Sequence, residues 1–562
     1  MKTKIFLFTL INSLCFLSII SNAQTPAWLW AKSAKGMGNI KATSVALDNS
    51  GNTYMAGYFE SPTIIFNPDT LKNTSISDTA DIFLTKYDAN GNILWAKSAK
   101  GRDIDRIYSV AVDASGNIYV AGYFESHTII FGSDTLTNAN IVYGSLDIFL
   151  VKYNANGNVL WAKSVGGQGD EEATSVAVDA SGNAYVTGIF DSSTLTFGSY
   201  TLTNVSMSEN DIFLAKFDVN GNVLWAKSAG GTYPANASAN SVAVDVSGNA
   251  YITGSFQSST IIFGSDTLTS AGYVDLFLAK YNTNGNMLWA KRAGGIYNDV
   301  GVSVAADASG NIYVTGNFQS PTITFDSDTL TSLGGYGYDT YLAKYDTYGN
   351  VLWAKSAGGT SDDAVTSIAV NASGNAYITG WFESSTITFG SNILTNTNSF
   401  DDIFYVKYDA SGNVIWATKF GSTGDDMAYS IAMDVSGNAC LVGSFNSYTL
   451  SFGSATLTNP DGKDIFLAKS GNIVIGINEL NNSLNISAFP NPVVDNIIIR
   501  VPEIATSDSY RIEILNISGQ IIKTIYNNGK ETTIDLKNLP SGVYIIKAKT
   551  DEGIAIKKFI KE

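Results

Sequence analysis

A Trp-Ala pair preceded by an aliphatic residue recurs at Trp30, Trp95, Trp161, Trp225, Trp289, Trp353 and Trp416, at intervals of 63 to 66 residues. A period this regular demands a modular fold in which each unit buries its apolar face against the next. Within one period the pattern reads as four strands. Ser109-Val110-Ala111-Val112-Asp113 is the first, and the turn Ala114-Ser115-Gly116-Asn117 leads into Ile118-Tyr119-Val120-Ala121-Gly122. A third opens at Asp147 and runs to Tyr153; after a turn over Asn154 to Asn158 comes Val159-Leu160-Trp161-Ala162-Lys163. Short runs rich in β-branched and aromatic residues, punctuated by Gly-Asn turns that accept positive φ, are hairpin signals.

The phase of the repeat says how the units close. The first motif, Trp28 to Lys32, is a fourth strand with no first three before it. The last repeat ends after its third strand, Asp464 to Lys469, and lacks a Trp strand. Pairing these two ends completes a seventh unit. The expected fold is all-β: a seven-bladed β-propeller of four-stranded blades, with the N-terminal strand closing the last blade and few strand edges left open. After Lys469 the register stops, and several short alternating strands in under 80 residues read as a small Ig-like β-sandwich.

The chain's ends and composition limit its surroundings. Lys2 and Lys4, an apolar stretch from Ile5 to Ile20 and the small-x-small run Ser21-Asn22-Ala23 read as a signal peptide cut between Ala23 and Gln24. No later segment is apolar enough to span a membrane. With Cys15 removed, Cys440 is left alone, so no internal disulfide and no Cys/His zinc site is expected. The net charge is −16 and the excess acid lies in the repeats, which disfavours nucleic acid as a partner. The expected boundaries are 1–23 signal peptide, 24–470 propeller, 471–484 linker and 485–562 C-terminal domain, in a monomer.

Two resemblances sharpen this. The Gly-Gly-x-Gly-Asp loop and Ala-Val-Asp-x-x-Gly-Asn hairpin at Gly166 to Asn183, with Asp-x-Phe-x-Ala-Lys at Asp211 to Lys216, resemble the SBBP-type β-propeller repeat, over about residues 27–470. Phe489-Pro490-Asn491-Pro492, Ser518-Gly519-Gln520, Leu539-Pro540-Ser541-Gly542-Val543-Tyr544 and the Lys-rich finish at Lys557, Lys558 and Lys561 resemble the type A sorting domain of the type IX secretion system of Bacteroidetes. That resemblance implies engagement of the secretion machinery, removal of the domain, and release from the cell or attachment to its surface.

Residues shared by every period are expected to serve the scaffold: the Trp as packing, the Asp opening each third strand as a carboxylate accepting backbone N–H groups. The Asp-x-x-Gly-Asn hairpins lack the spaced carboxylates of a calcium loop. His127, the sole histidine, sits where other periods have Pro, Ser or Tyr, and no triad or His-based metal site is expected. The candidate ligand-binding set is acidic. The loops between periods carry Asp170, Glu171, Glu172, Asp362, Asp363, Asp425 and Asp426, and the position after the second-strand Phe carries Glu60, Glu125, Asp191 and Glu383. In a propeller both sets ring one mouth of the central channel, as a solvated rim or as a ligand site able to recruit calcium.

No catalytic residue is expected. The favoured function is a secreted or surface-attached binding, adhesion or display module, engaging glycan or protein through polar, Thr-rich loops such as Thr322 to Phe325. The alternative is an extracellular propeller hydrolase or lyase acting on polysaccharide through paired carboxylates such as Asp170 and Glu171. Enzymes on such scaffolds break the repeat with insertions, and the near-constant period argues for binding.

Overall fold

In the computed structural model the described residues are 26–36, 38–74, 79–140, 144–206, 209–231, 236–335, 337–460, 462–471, 486–501, 510–516, 521–527, 529–550 and 553–562. The expected cleavage between Ala23 and Gln24, nearly all of the expected linker and the Ser518-Gly519-Gln520 turn lie outside them. The chain divides into two compact units, Met1–Asn472 and Ile473–Glu562. Strands and turns make up both, and no helix among the described residues is long and apolar enough to cross a membrane.

The larger unit contains seven antiparallel sheets with the strand order first, second, third, fourth. The first strands are Ile40–Leu47, Asp105–Val112, Glu171–Val178, Ala237–Val244, Asp299–Ala306, Asp363–Val370 and Asp426–Met433; sheets I to VII are numbered from them. Second and third strands, such as Ala184–Phe190 and Asp211–Phe217, are buried along nearly their whole length, because both faces are covered by neighbouring sheets. In sheet VII the third strand, Asp464–Gly471, pairs on its far side with the N-terminal strand Ala27–Gly36, in a register that includes Trp30↔Lys469 and Ala34↔Ile465.

Among the described residues each period holds six strands rather than the four expected. Between the second and third strands lies a short hairpin, as in Thr322–Phe325 paired with Asp328–Thr331. The expected loop over Thr322 to Phe325 is therefore a strand. Its alternation is strand-like, since Ile323 and Phe325 are fully buried while Thr322 and Thr324 face solvent.

The core is laid between sheets rather than within them. One cluster joins Tyr119 and Leu150 of sheet II to Val186, Phe190 and Phe213 of sheet III. The same kind of cluster joins Cys440, Val442, Ile465 and Leu467 of sheet VII to Met55, Phe59 and Phe83 of sheet I. Each fully buried Phe contributes about 1.5–3 kcal/mol. The recurring Trp spans the same junctions: the indole N–H of Trp30 donates to Ala89 O at 2.9 Å, and that of Trp161 to Val219 O at 3.0 Å, each on the following hairpin turn. Those two turns are built by Asp-x-x-Gly-Asn: Asp88 Oδ1 accepts from Asn90 N at 2.9 Å and Asn92 N at 2.8 Å, Oδ2 accepts from Asn92 Nδ2 at 2.9 Å, and Gly91 takes a φ of 79°.

A second set of bonds runs along the first strands. In every sheet a serine accepts from the backbone N–H of the next sheet: Ser44 from Val110 at 3.1 Å, Ser109 from Val176 at 3.1 Å and Ser175 from Val242 at 3.2 Å. Ser241, Ser303 and Ser367 continue this with Val304, Ile368 and Ile431. Ser430 of sheet VII accepts from Val45 of sheet I at 3.3 Å, across 385 positions of chain.

Just before each serine the first strand carries a one-residue bulge, as between Ala173 and Ser175, and the facing second-strand residue is always Gly. At Gly188 an added Cβ would fall 1.8 Å from Glu172 O. We therefore expect Gly188→Ala to destabilise the unit by about 3 kcal/mol, measured by urea denaturation; a cost below about 0.5 kcal/mol would show that the bulge relaxes freely.

The smaller unit has two sheets that share one core. Ser487–Phe489, Asn496–Arg500 and Glu531–Asp535 form one sheet; Ile521–Asn527, Tyr510–Asn516, Gly542–Thr550 and Gly553–Lys561 form the other, in that order. Ile497, Ile499 and Ile534 meet Ile512, Ile514, Ile546 and Phe559 between them. Ser487–Phe489 and Glu531–Asp535 are strands that the sequence pattern does not single out.

Candidate functional site

The expected acidic set divides by burial. Glu171, Asp363 and Asp426 are fully buried at the start of their first strands. Glu171 Oε2 accepts from Gly167 N at 2.7 Å, Asp363 Oδ2 from Ser384 Oγ at 2.9 Å, and Asp426 Oδ2 from Ser447 Oγ at 2.5 Å. They brace the connections between sheets and do not reach solvent, which corrects their placement in a ligand site. The reason is strand geometry: neighbours such as Asp170 and Glu171 point to opposite sides.

Each of these carboxylates faces the Asp opening the previous sheet's third strand, itself buried. Asp147 Oδ2 accepts from Ala139 N at 2.7 Å, and Asp211 Oδ2 from Val205 N at 2.8 Å. Burial, reinforced by the facing Asp, pushes Asp105 and Glu171 up to about 8 and Asp363 up to about 7. Burial alone pushes Asp147 up to about 6.

The remaining acids stay at the surface. Asp170, Asp362 and Glu383 are exposed, while Glu60, Glu125, Glu172, Asp191 and Asp425 are half-buried. Several tie loops together: Asp170 Oδ1 accepts from Leu146 N at 3.0 Å, Asp362 Oδ1 from Tyr338 N at 2.9 Å, and Glu60 Oε1 from Asn39 Nδ2 at 3.1 Å. Among the described residues no three His, Cys, Asp or Glu side chains are grouped so as to hold a metal ion. His127 is exposed.

Sequence reasoning missed a different place. First and second strands from sheets I, II, III, IV and VII surround a cavity of about 340 Å³, lined by Lys41, Thr43, Tyr58, Tyr108, Glu172, Thr174, Ile189, Ser238, Asn240 and Tyr429. That volume falls in the range of small-ligand pockets, about 300–1,000 Å³. Its lining includes the bulge residue of each contributing first strand, and there the repeat breaks. In sheets I, III, IV and VI the bulge residue is Thr43, Thr174, Asn240 or Thr366, and its side chain donates across to the next sheet: Thr43 Oγ1 to Ile107 O at 2.8 Å, Thr174 Oγ1 to Ala239 O at 2.5 Å, Asn240 Nδ2 to Gly301 O at 2.8 Å and Thr366 Oγ1 to Ala428 O at 2.8 Å. In sheets II and VII the same position is Tyr108 and Tyr429.

The position two residues before the bulge varies as freely, reading Lys41, Arg106, Glu172, Ser238, Val300, Ala364 and Met427 from sheet I to VII. The result is a cluster on one side of the cavity. Lys41 Nζ lies 4.2 Å from the centroid of the Tyr429 ring, and Arg106 Cζ lies 4.7 Å from that of Tyr58. The Tyr108 and Tyr123 rings meet edge to face at 5.6 Å, and Tyr429 Oη is 3.0 Å from Ser444 Oγ. Burial, with Lys463 and Arg106 nearby, lowers the Lys41 pKa; burial, with Asp170 adding, raises that of Glu172. Aligning the seven periods and asking where they differ would have found this cluster.

Comparison with known proteins supplies the class. Residues 487–562 match the family described as secretion system C-terminal sorting domain, and residues 288–317 match the family described as beta-propeller repeat. The chain is therefore a secreted or surface β-propeller protein with a type IX secretion sorting tail. It is 26% identical over 537 residues to the WD repeat-containing protein L264 of Acanthamoeba polyphaga mimivirus, covering 80% of this chain and 38% of that protein. It is 31% identical over 172 residues to the regulatory protein FlaEY of Caulobacter vibrioides, covering 29% of this chain and 17% of that one. The chain thus spans well under half the length of these curated relatives. Among solved structures, Sqt1 from Chaetomium thermophilum is similar at a TM-score of 0.36 and 10% identity, over 78% of this chain and 90% of that one.

Proposed function

We propose that the seven sheets are the blades of a closed seven-bladed β-propeller, and that the exported protein is a binding or display module taking glycan in its axial channel. The observation that carries the binding role is the blade-to-blade variation along the channel wall, on first strands whose other inward positions repeat. Thr43, Thr174, Asn240 and Thr366 tie neighbouring blades together, whereas blades II and VII give up that bond to place Tyr108 and Tyr429 in the cavity. Scaffold residues repeat because every blade needs them; residues that abandon a scaffold bond answer to something other than the scaffold. Closure is supported by the pairing of the N-terminal strand with Asp464–Gly471 and by the bond from Val45 N to Ser430 Oγ.

The lining favours recognition over turnover. Glu172 is its one carboxylate, and the acid–base pair considered for hydrolysis is split, with Glu171 buried beneath the rim and Asp170 on it. The exposed rim acids keep the mouth solvated. On a glycan array we expect the purified protein to bind a restricted set of saccharides. Tyr108→Ala and Tyr429→Ala should each lower that binding at least tenfold while leaving the melting temperature within about 2 °C, since neither ring carries the inter-blade bond. Array binding unaffected by both substitutions would remove the channel as the site.

A further inference from the structure

Lys41 on the cavity wall and Arg106, stacked on the wall residue Tyr58, are the two cations beside a lining otherwise made of hydroxyl, amide and aromatic groups with Ile189 and the Glu172 carboxylate. Both are half-buried, and neither makes an ion pair with a described carboxylate. Each lies over a tyrosine face, and the Arg106 Nε–H is buried without a hydrogen-bond partner. By contrast, the repeated lysine of the third strand is satisfied: Lys152 Nζ donates to Val219 O at 3.2 Å and lies 3.8 Å from Asp113, and Lys469 Nζ donates to Gly51 O at 2.8 Å. Removing a cation from water costs free energy that a ring face, and for Arg106 the Glu172 carboxylate beyond ion-pair distance, only partly offset. Blades IV to VII avoid that cost with Ser238, Val300, Ala364 and Met427 at the same position. Two adjacent blades accept it.

Resting on the glycan-binding reading above, we propose that the cavity takes an acidic saccharide, with the carboxylate of a uronic acid residue held between Lys41 and Arg106. The ring's apolar face lies on the tyrosines of blades I, II and VII, and its hydroxyls meet Thr43, Thr174, Ser238 and Asn240 on the far wall. A guanidinium with a free Nε–H is suited to a planar carboxylate, which it can grip with two parallel bonds. The cavity of about 340 Å³ admits a sugar end but not a folded partner. The placement is selective for charge: the repeat region carries the chain's excess acid, so the two cations stand out against a net negative surround.

The decisive experiment is titration calorimetry of the full mature chain with digalacturonic acid, its neutral methyl ester and a sulfated disaccharide. Digalacturonic acid should bind at least tenfold more tightly than the ester, and more weakly as salt rises. Lys41→Ala and Arg106→Ala should each lose at least tenfold for the acid and little for the ester; Arg106→Lys should recover part of the loss. Glu172→Gln should strengthen binding of the acid by removing a like charge, an effect that a merely structural role would not produce. Equal binding of acid and ester, or acid binding indifferent to Lys41→Ala and Arg106→Ala, overturns the proposal while leaving the channel as a neutral-glycan site. Preference for the sulfated sugar overturns the carboxylate assignment. If no saccharide binds here or on the array, both readings fall together.

Discussion

Between pH 4 and pH 8 the stability of the propeller unit should fall, and the cause is the row of carboxyl pairs buried between its sheets. In the unfolded chain these groups ionise near pH 4. In the folded unit, burial together with the facing Asp keeps Asp105 and Glu171 protonated up to about 8 and Asp363 up to about 7. The folded state therefore binds more protons throughout the interval. Its stabilisation is complete below the unfolded value and is lost as pH rises through the folded one. A rise from 3.8 to about 8 at Asp105 corresponds to about 6 kcal/mol at the upper end. The opposing limb belongs to turn aspartates such as Asp179, where burial is outweighed by hydrogen bonds from Asn183 and Ser181 and the pKa is lowered. That contribution is lost only as pH falls below the ordinary carboxylate range. The melting temperature should peak near pH 4 to 5 and drop by roughly 10 °C by pH 8. Glu171→Gln and Asp105→Asn mimic the protonated forms and should flatten the drop; a melting temperature independent of pH between 4 and 8 would refute the account.

Deleting residues 26–36 should have the other large effect. That strand supplies the outer partner of Asp464–Gly471 and brings Trp28 against Phe420 and Phe452, with ring centroids 5.1 and 4.8 Å away. Without it the Asp464–Gly471 edge is bare and a junction equivalent to all the others loses its cover. An unpaired, apolar edge invites pairing with a second chain. The truncated protein should lose its single cooperative melt and elute as oligomers on size exclusion, and a synthetic peptide of residues 26–36 should restore the monomer. A truncated chain that melts like the intact one would mean that the first and last sheets do not depend on this strand.

The architecture is legible in the sequence because the scaffold is written seven times. The Trp spacing, the Asp-x-x-Gly-Asn turns and the missing first three strands before Trp28 each repeat a geometric need, and repetition makes a need visible. Hairpins such as Thr322–Phe325 are legible too, through Ile323 and Phe325, but the threonines between them have the look of loop composition. The site is obscured for the opposite reason. Recurring acids draw the eye, yet recurrence is the mark of a structural role, and Glu171, Asp363 and Asp426 brace loops. Tyr108 and Tyr429 are single departures from a Thr or Asn, and such a departure stands out only once the hydrogen bond it replaces is known.

The pairing of Ala27–Gly36 with Asp464–Gly471 also sets an order of events. The earliest-made strand of the unit finds an early partner only at its end, where Lys35 and Gly36 pair with Ile65 and Ile64; the partner of its remaining length is made more than 400 residues later, so most of it must wait while six sheets assemble. Threonine, serine and lysine neighbours suit a segment that has to stay soluble alone. A full-length chain whose two ends fail to meet would carry two complementary sticky edges, each able to find the other on a different molecule.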